Sequence, residues 1–479
     1  MDIKNSKLTK SKGERSGVPQ SIPWRKLLSD THDNTIASAF AEHYCTNHRF
    51  ELDNKAWLVW ADRRWQYDVH TQALYSSIEQ MVNDLKAFNK SKSVETIGGV
   101  IKKLSNARSR SNVVTILSTI PSVGIRHSDL DAHAHLISLF NGAFNLDTGQ
   151  FIHDENALRP LYLHKQMHVA YDKDAKCPQW MEFLDKIFLQ DQDLIHFVQK
   201  ILSLSLYGNV SEERLFLAYG SGKNGKTTLY NVMKQLLGCY AVAIPSMLLL
   251  QSRNKDQRIE YEVNDSLENA RLAIASELPE QCSFDSICLK QLSSRDNINA
   301  KKIYNPVYSF RPSHQLHVHA NYLPSFNAQD RALLRRILVI PFDYRVPDSE
   351  TIENYDVILL REASGILNWL IEGWALYKKE KLVVLPARVQ EIMQNYTDDC
   401  DILNNFIDNC CTRGVDLKCT LKEFYDVFSS QYENRRIQQK TLSKRLQDAG
   451  FEVRESSGNK KHIFGLMLSS QQDNSTYMM

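Results

Sequence analysis

A glycine- and lysine-rich loop between residues 220 and 228 carries the clearest chemical signal in the sequence. It reads GSGKNGKTT and fits G-x-x-x-x-G-K-[ST], in which backbone N–H groups point inward at a phosphate. Glycine is needed because the loop takes positive φ angles and its main chain approaches the anion closely. Apolar residues precede the loop from Leu215 and a helical pattern follows it, as the motif requires. The pattern predicts a nucleotide phosphate site, against the alternative of an accidental glycine-rich turn.

The residues of this loop have different expected roles. Lys226 would reach the β- and γ-phosphates of ATP, Thr227 would give its hydroxyl to Mg²⁺, and the following helix would direct its positive N-terminal end at the anion. The predicted nucleotide-binding residues are Gly220, Gly222, Lys223, Asn224, Gly225, Lys226, Thr227 and Thr228. The loop alone does not say which reaction follows.

Two further short apolar segments end on polar side chains. RLAIAS leads into Glu277, and LHVHA leads into Asn321. A nucleotide hydrolase needs a carboxylate at the end of a strand beside the phosphate loop, to hold Mg²⁺ and to polarise the attacking water. We therefore predict Glu277 as that carboxylate, rather than as a solvated loop glutamate. Asn321 is predicted to position the water or to sense the γ-phosphate.

A pair of arginines precedes a fourth apolar segment. Arg335 and Arg336 stand directly before ILVIPF. In a ring of ATPases such an arginine enters the neighbouring site and stabilises transition-state charge, an effect worth about 10³ to 10⁵ in rate. A surface salt bridge is the competing interpretation, and the sequence does not choose between the two arginines. Four apolar strands with polar groups at their carboxyl ends predict a parallel α/β sheet with the site along one edge.

A basic segment lies between the second and third of these strands. Residues 290–310 alternate, turn near Asn305 and predict a β-hairpin whose end carries Lys301, Lys302 and Tyr304. The lysines could hold DNA phosphates while Tyr304 or Tyr308 stacks on a base. A solvated hairpin without a ligand is the alternative.

The C-terminal segment has a different pattern. A capping box at Thr420 begins one helix, residues 438–449 predict a second, and a hairpin follows. This order suggests a winged helix, whose second helix would place Lys440, Lys444 and Arg445 in a DNA groove. Such domains also serve protein contacts, so both interpretations stay open.

Length and composition set outer bounds. A chain of 479 residues predicts two to four domains, and 43% hydrophobic with 24% charged residues is ordinary for globular protein. The net charge of +2 means that any DNA surface must be a local patch. The longest apolar run, residues 241–250, is too short to span a bilayer, and the N-terminus lacks a secretory signal. We expect an intracellular, cytoplasmic protein with no membrane partner.

The predicted organisation has four parts. We expect a disordered basic tail over residues 1–28 and a mixed, mainly helical N-terminal domain over residues 29–200. An ATPase domain over residues 201–397 and a winged-helix domain over residues 398–479 follow.

The motifs in this order resemble the superfamily 3 helicases, and within them the phage, plasmid and poxvirus primase–helicase family. The matching segments are GSGKNGKTT (220–228), SELPE (276–280), LKQLSSRDNINAKK (289–302), HANYLP (319–324) and DRALLRRILVIPF (330–342). FNGAFNLDTG (140–149) and AYDKDAKCPQWMEFL (170–184) resemble the helicase-associated domain that precedes the ATPase in these proteins.

The resemblance implies an AAA+-like P-loop core in a homo-hexameric ring. The ring would hydrolyse ATP with Mg²⁺ and move 3′-to-5′ on single-stranded or forked DNA during replication of a phage, plasmid or other mobile element. It implies that Glu277 is the Walker B acid, Asn321 the sensor, and Arg335 or Arg336 the finger, with Lys301 and Lys302 on the DNA-contacting hairpin. A replication initiator or a primase is a further expected partner. Many members carry a primase domain upstream, for which this chain is expected to be too short. An ATP-binding DNA-binding or assembly protein without unwinding activity, or a P-loop kinase, remains an alternative.

Overall fold

The computed structural model describes residues 25–252, 257–280, 282–301, 306–326, 330–432, 438–456 and 460–469. The contacts divide the chain after Ala132 into two compact units, each of which is described by itself. The four-part organisation expected from the sequence stays a prediction.

The first unit packs helices against a small sheet. Its elements are α1 (Asp33–His43), β1 (His48–Glu51), β2 (Ala56–Ala61), β3 (Arg64–Tyr67), α2 (Gln72–Lys92), α3 (Glu95–Leu104), α4 (Ala107–Leu117) and β4 (Gly124–Ile125). The sheet order is β3-β2-β1-β4, with β4 parallel to β1 and the other pairs antiparallel. The hairpin β2–β3 buries Trp57, Trp60 and Trp65, so these aromatic side chains belong to the core of this unit.

The second unit begins with a short antiparallel sheet and helices. These elements are β5 (Leu136–Leu139), β6 (Gly142–Asn145), β7 (Phe151–Ile152), α5 (Glu155–Leu158), α6 (Pro178–Ile187) and α7 (Gln192–Ser203). Asp191 begins α7 by accepting a hydrogen bond from the backbone N–H of Leu194, as a capping residue does. Its apolar positions repeat at helical spacing, and it packs against a later helix, Ala363–Glu380.

The centre of this unit is a parallel sheet. The elements that build and cover it are β8 (Leu215–Tyr219), α8 (Lys226–Leu237), β9 (Ala241–Ile244), α9 (Gln257–Ser266), β10 (Leu272–Ser276), α10 (Ser286–Leu292), β11 (Ile298–Ala300), β12 (Tyr308–Phe310), β13 (Gln315–Ala320), α11 (Arg331–Leu334), β14 (Ile337–Pro341), α12 (Tyr355–Leu359) and α13 (Ala363–Glu380). The strand order is β14-β8-β13-β10-β9, and all four pairings are parallel.

Both faces of this sheet are covered, which explains why its strands are continuous apolar runs. Side chains alternate between the faces of a strand, so Phe216 and Ala218 enter one core while Leu215 and Leu217 enter the other. The helices α7, α8 and α13 contribute to the first of these cores, and α10 contributes to the second. The coarse fold class, mixed α/β with a parallel sheet and helices, is confirmed.

Two features of this unit differ from the sequence prediction. The sequence did not predict strand β9, because the apolar run over residues 241–250 was considered only as a possible membrane-spanning segment. The hairpin expected over residues 290–310 is shorter, since Asp285 caps α10 and keeps the chain helical to Leu292. The paired strands are β11 and β12, and they are antiparallel.

The C-terminal elements form a second small α/β arrangement. They are α14 (Ala387–Cys410), β15 (Cys411–Thr420), α15 (Leu421–Gln431), α16 (Gln439–Asp448), β16 (Glu452–Ser456) and β17 (Lys460–Leu468). The antiparallel sheet has the order β15-β17-β16, and β15 was not predicted. Thr420 and Glu423 form the expected capping box at the start of α15. In the part of the chain described, no helix combines the length and apolar character that crossing a membrane requires.

Candidate functional site

The glycine-rich loop leaves β8 at the carboxyl edge of the parallel sheet and leads into α8. Two positions of this loop, residues 220 and 225, accept only glycine. A Cβ added to Gly220 would lie 2.1 Å from Nδ2 of Asn224 and 2.4 Å from the carbonyl oxygen of Phe342. Gly225 has φ +83°, which L side chains avoid, and an added Cβ would lie 2.6 Å from Ile187. The loop is therefore closely packed against α6 and against Phe342, the residue that follows β14.

Lys226 is buried at the start of α8, with 4% of its surface exposed. Its Nζ donates to the carbonyl oxygen of Gly220 at 2.6 Å, to Oδ1 of Asn224 at 2.9 Å and to Oδ1 of Asn321 at 3.3 Å. These acceptors are neutral, so burial is not offset by an opposite charge and lowers the pKa of Lys226 to about 8. A buried cation held by neutral oxygens is well suited to receive an anion.

A cavity of about 470 Å³ opens beside Lys226. It is lined by Gly222, Lys223, Asn224, Gly225, Lys226, Thr227, Thr228, Asn231, Ser276, Glu277, Leu278, His319, Ala320 and Asn321. The loop, the end of β10 and the end of β13 meet here because parallel neighbouring strands present their carboxyl ends at one edge. Seven of the eight loop residues predicted to bind nucleotide line this cavity together with Glu277 and Asn321. Gly220 does not line it and instead accepts from Lys226.

Glu277 has an unusual backbone conformation for a side chain of its type. Its φ is +60°, in the left-handed region, directly after the last residue of β10. Such a conformation costs about 1 kcal/mol or more in a non-glycine residue and occurs disproportionately at functional sites. The residue is exposed at the cavity, so its carboxylate is accessible to a ligand.

The oxygen atoms of this cavity fit magnesium. The exposed Thr227 hydroxyl and the Glu277 carboxylate both line it, and Mg²⁺ prefers one or two such ligands together with phosphates and waters. Within the described ranges no group of three or more His, Cys, Asp or Glu side chains could hold a metal. A metal there would depend on the nucleotide for its other ligands.

His319 lines the cavity but was not predicted from the sequence. Its ring stacks on Tyr230 of α8 with centroids 5.3 Å apart and planes at 11°. Burial, and secondly the positive charge of Lys226, lower the pKa of His319 to about 4, so its imidazole is neutral at pH 7. The available signal was the spacing of two residues between His319, in β13, and Asn321, which directly follows that strand.

The two arginines before β14 have different surroundings. Arg336 lies 3.5 Å from the carboxylate of Glu213 and donates to the carbonyl oxygen of Ala332 at 3.2 Å. Arg335 is exposed. Neither arginine lines the cavity of its own chain. Nearby, Asp330 caps α11 and pairs with Lys290 at 2.5 Å.

The predicted DNA-contacting residues are described only in part. Lys301 is exposed directly after β11, whereas Lys302 and Tyr304 lie outside the described residues. Arg295, in the same segment, donates to the carbonyl oxygens of Val210 and Ser211, both at 3.0 Å. That guanidinium is therefore engaged within its own chain.

On α16 the basic and apolar side chains lie on different faces. Leu442 and Leu446 are fully buried, while Lys440 and Lys444 are exposed and Arg445 is half-buried. The helix is therefore amphipathic, and its lysines face away from its own core.

Two protein-family models match separate parts of the chain. The model described as D5 N terminal like matches residues 37–189, and that of a family of unknown function, DUF5906, matches residues 218–336. The second match includes the loop, Glu277, Asn321 and the arginine pair.

Two viral proteins whose names provisionally call them helicases are similar in sequence. One, from Acanthamoeba polyphaga mimivirus, is 25% identical over 354 residues, which cover 68% of this chain and 36% of the relative. The other, from Frog virus 3 (isolate Goorha), is 24% identical over 264 residues, which cover 52% of this chain and 27% of the relative. The chain thus corresponds to about a third of each relative's length or less.

Among solved structures, two of the apo C-terminal region of NrS-1 match with TM-scores of 0.44 and 0.41 at 11% identity. They cover 88% and 87% of this chain and 96% of each matched chain. By these family-model and sequence matches, the chain is similar to the D5-like helicases.

Proposed function

We propose that the chain is an ATP-dependent DNA helicase that works as a homo-hexameric ring and moves 3′-to-5′ on single-stranded DNA. Its parallel sheet would be an AAA+-like P-loop core of the superfamily 3 type. The observation that carries the proposal is the single cavity that Lys226, Thr227, Glu277 and Asn321 share at the carboxyl edge of the sheet. Each of these side chains has the chemistry that phosphoryl transfer from ATP to water requires.

The residues would divide the hydrolysis as follows. Backbone N–H groups of the loop and the start of α8 bind the phosphates, and Lys226 exchanges a neutral acceptor for a γ-phosphate oxygen. Glu277 orients and polarises the attacking water. Mg²⁺ bound by Thr227 and Glu277 would neutralise charge on the phosphates. Since Asn321 already contacts Lys226, phosphate binding would alter that contact and report the nucleotide state to β13.

The arginine environments favour Arg335 as the finger. Arg336 is paired with Glu213 of its own chain, so its entry into a neighbouring site would break an existing contact. Arg335 is exposed on the same turn and keeps its charge available to a second subunit.

Two surfaces are proposed to meet DNA. The segment between β11 and β12, which carries Lys301, Lys302 and Tyr304, would contact the single strand inside the ring. The helices α15 and α16 with the antiparallel sheet β15-β17-β16 would form a winged helix, and the exposed Lys440 and Lys444 would contact phosphates. A replication initiator or a primase would be the loading or functional partner.

The ATPase rate with and without single-stranded DNA tests this proposal. The parent protein is expected to hydrolyse ATP faster when DNA is added, while Lys226→Ala is expected to be inactive in both conditions. Equal rates with and without DNA would remove the helicase assignment and leave an ATP-binding assembly protein. Full activity of Lys226→Ala would show that hydrolysis occurs elsewhere.

A further inference from the structure

A second cavity, of about 260 Å³, lies against the other side of the glycine-rich loop. It shares Lys223, Gly225 and Thr228 with the phosphate cavity, so the two spaces meet along the loop. The second cavity is therefore adjacent to the phosphate cavity, at the end of the loop that includes Thr228.

The walls of the second cavity are mainly apolar and partly aromatic. Phe183 and Ile187 of α6 form one side, with 4% and 1% of their surfaces exposed. Ile352 and Tyr355, which follow β14, form the other side. The rings of Phe183 and Tyr355 meet edge to face, with centroids 5.7 Å apart and planes at 83°. Ile352 lies at the rim of the cavity and, although it is aliphatic, has 50% of its surface exposed.

The chain that follows β14 is fixed to the loop by two hydrogen bonds, one between backbone atoms and one from a side chain. The N–H of Val346 donates to the carbonyl oxygen of Lys223 at 2.7 Å. Nδ2 of Asn224 donates to the carbonyl oxygen of Phe342 at 3.2 Å. The second cavity therefore keeps a defined position relative to the phosphate loop.

The position of the phosphates determines in which direction the ribose and base of a bound nucleotide extend. The γ-phosphate belongs near Lys226 and Glu277, because those groups act on the transferred phosphoryl. The loop N–H groups hold the α- and β-phosphates, so the ribose and base leave on the side of Thr228. We propose that the second cavity is the base subsite, which takes a purine ring between α6 and the segment from Val346 to Tyr355. This inference rests on the proposed nucleotide site.

The mode of recognition would be ring contact rather than base-specific hydrogen bonding. Among the described residues, four charged side chains line this cavity, namely Glu182, Lys186, Lys223 and Glu350. Lys186 pairs with Glu350 at 2.5 Å, and Tyr344 also donates to Glu350 at 3.1 Å. Lys223 pairs with Asp348 at 2.5 Å. An apolar slot of this kind binds the face of any purine, so adenine and guanine nucleotides are expected to bind within about a factor of ten of each other.

Calorimetric titration with ADP, GDP and inorganic pyrophosphate, each with Mg²⁺, tests the assignment without hydrolysis. The parent is expected to bind ADP and GDP at least tenfold more tightly than pyrophosphate. Tyr355→Ala is expected to weaken ADP binding about tenfold, as loss of an aromatic contact with a base does, and to leave pyrophosphate binding unchanged. Tyr355→Phe, the matched control, is expected to retain ADP affinity.

Ile352→Ser serves as a second variant, because an exposed side chain outside a helix contributes little to folding. It is also expected to weaken ADP binding and to leave pyrophosphate binding unchanged. Equal affinity of the parent for ADP and pyrophosphate, or unchanged ADP affinity in both Tyr355→Ala and Ile352→Ser, would overturn the base subsite alone. GDP binding more than a hundredfold weaker than ADP would overturn recognition by ring contact. Absence of binding by all three ligands, or pyrophosphate binding that survives in Lys226→Ala, would overturn the proposed nucleotide site and this inference with it.

Discussion

Replacing Lys226 with methionine is expected to stabilise the nucleotide-free protein while it removes nucleotide binding. The ammonium is buried, and its partners are three neutral oxygens. Methionine fills a similar volume without a charge, so the substitution removes the cost of keeping a cation away from water. Most substitutions of buried residues destabilise a protein, which makes the opposite sign informative.

The size of the effect follows from the pKa of Lys226. Its lowering from 10.5 to about 8 corresponds to a cost of about 3 kcal/mol at pH 7, at about 1.4 kcal/mol per pKa unit. The substitution also removes three hydrogen bonds, which are worth about 0.5 to 1.5 kcal/mol each, although water in the cavity can replace the lost donor. The net gain is expected to be about 1 kcal/mol, or a few degrees at most in melting temperature.

The sign of the pH dependence is fixed by the same shift. A lysine with a lowered pKa in the folded state destabilises the fold fully below pH 8, where it is charged in both states. As the pH rises from about 8 towards 10.5, the folded state loses this proton first and the cost disappears. The advantage of Lys226→Met over the parent is therefore expected to shrink across that interval.

Melting temperatures of the parent and Lys226→Met between pH 7 and pH 10, with and without MgADP, provide the assay. Lys223→Met is the matched control, because Lys223 lies in the same loop but is exposed and is expected to show no gain. With MgADP at 100 times its Kd the parent should gain about 2.7 kcal/mol and overtake the variant. A lower melting temperature for Lys226→Met at pH 7, with a difference that does not change up to pH 10, would refute the reasoning.

Three further comparisons test hydrolysis, packing and subunit cooperation separately. Glu277→Gln is expected to bind MgATP but to hydrolyse it about 10² to 10⁴ times more slowly, and an unchanged rate of phosphate release would contradict its role. Gly225→Ala is expected to lower the free energy of unfolding by about 1 to 3 kcal/mol, more than Gly149→Ala, which has a positive φ but open space for a Cβ. Similar melting temperatures for these two alanine variants would show that α6 can move aside to accommodate a Cβ at position 225. Mixing Arg335→Ala subunits with Glu277→Gln subunits is expected to restore part of the hydrolysis, and mixing Arg336→Ala subunits is not. Recovery only with Arg336→Ala would reverse that assignment.

The parts of the fold that the sequence predicted are those whose signals are local. Four of the parallel strands are short apolar runs bounded by polar residues, and β8 is followed by a loop whose glycines have a steric reason. Asp191 and Thr420 begin their helices by hydrogen bonds to residues three positions ahead, which a sequence pattern can reveal. The carboxyl ends of parallel strands share an edge, so Glu277 and Asn321 could be expected near the loop.

The features that were missed depend on contacts distant in sequence. Strand β9 lies at the edge of the sheet next to β10, and its four residues carry no signal that separates them from a longer apolar run. The role of His319 at the cavity depends on its register with β8 and on the approach of Tyr230 from α8. The pairing of Arg336 with Glu213 joins residues more than a hundred positions apart, so the sequence could not distinguish it from Arg335.

Strand displacement from a partial duplex with a 3′ single-stranded tail tests the central claim most directly. The account predicts that the parent protein separates this duplex in the presence of MgATP, that it leaves a 5′-tailed duplex intact, and that Glu277→Gln separates neither. Displacement that proceeds equally in Glu277→Gln, or a parent protein that hydrolyses ATP but separates no tailed duplex, would contradict it.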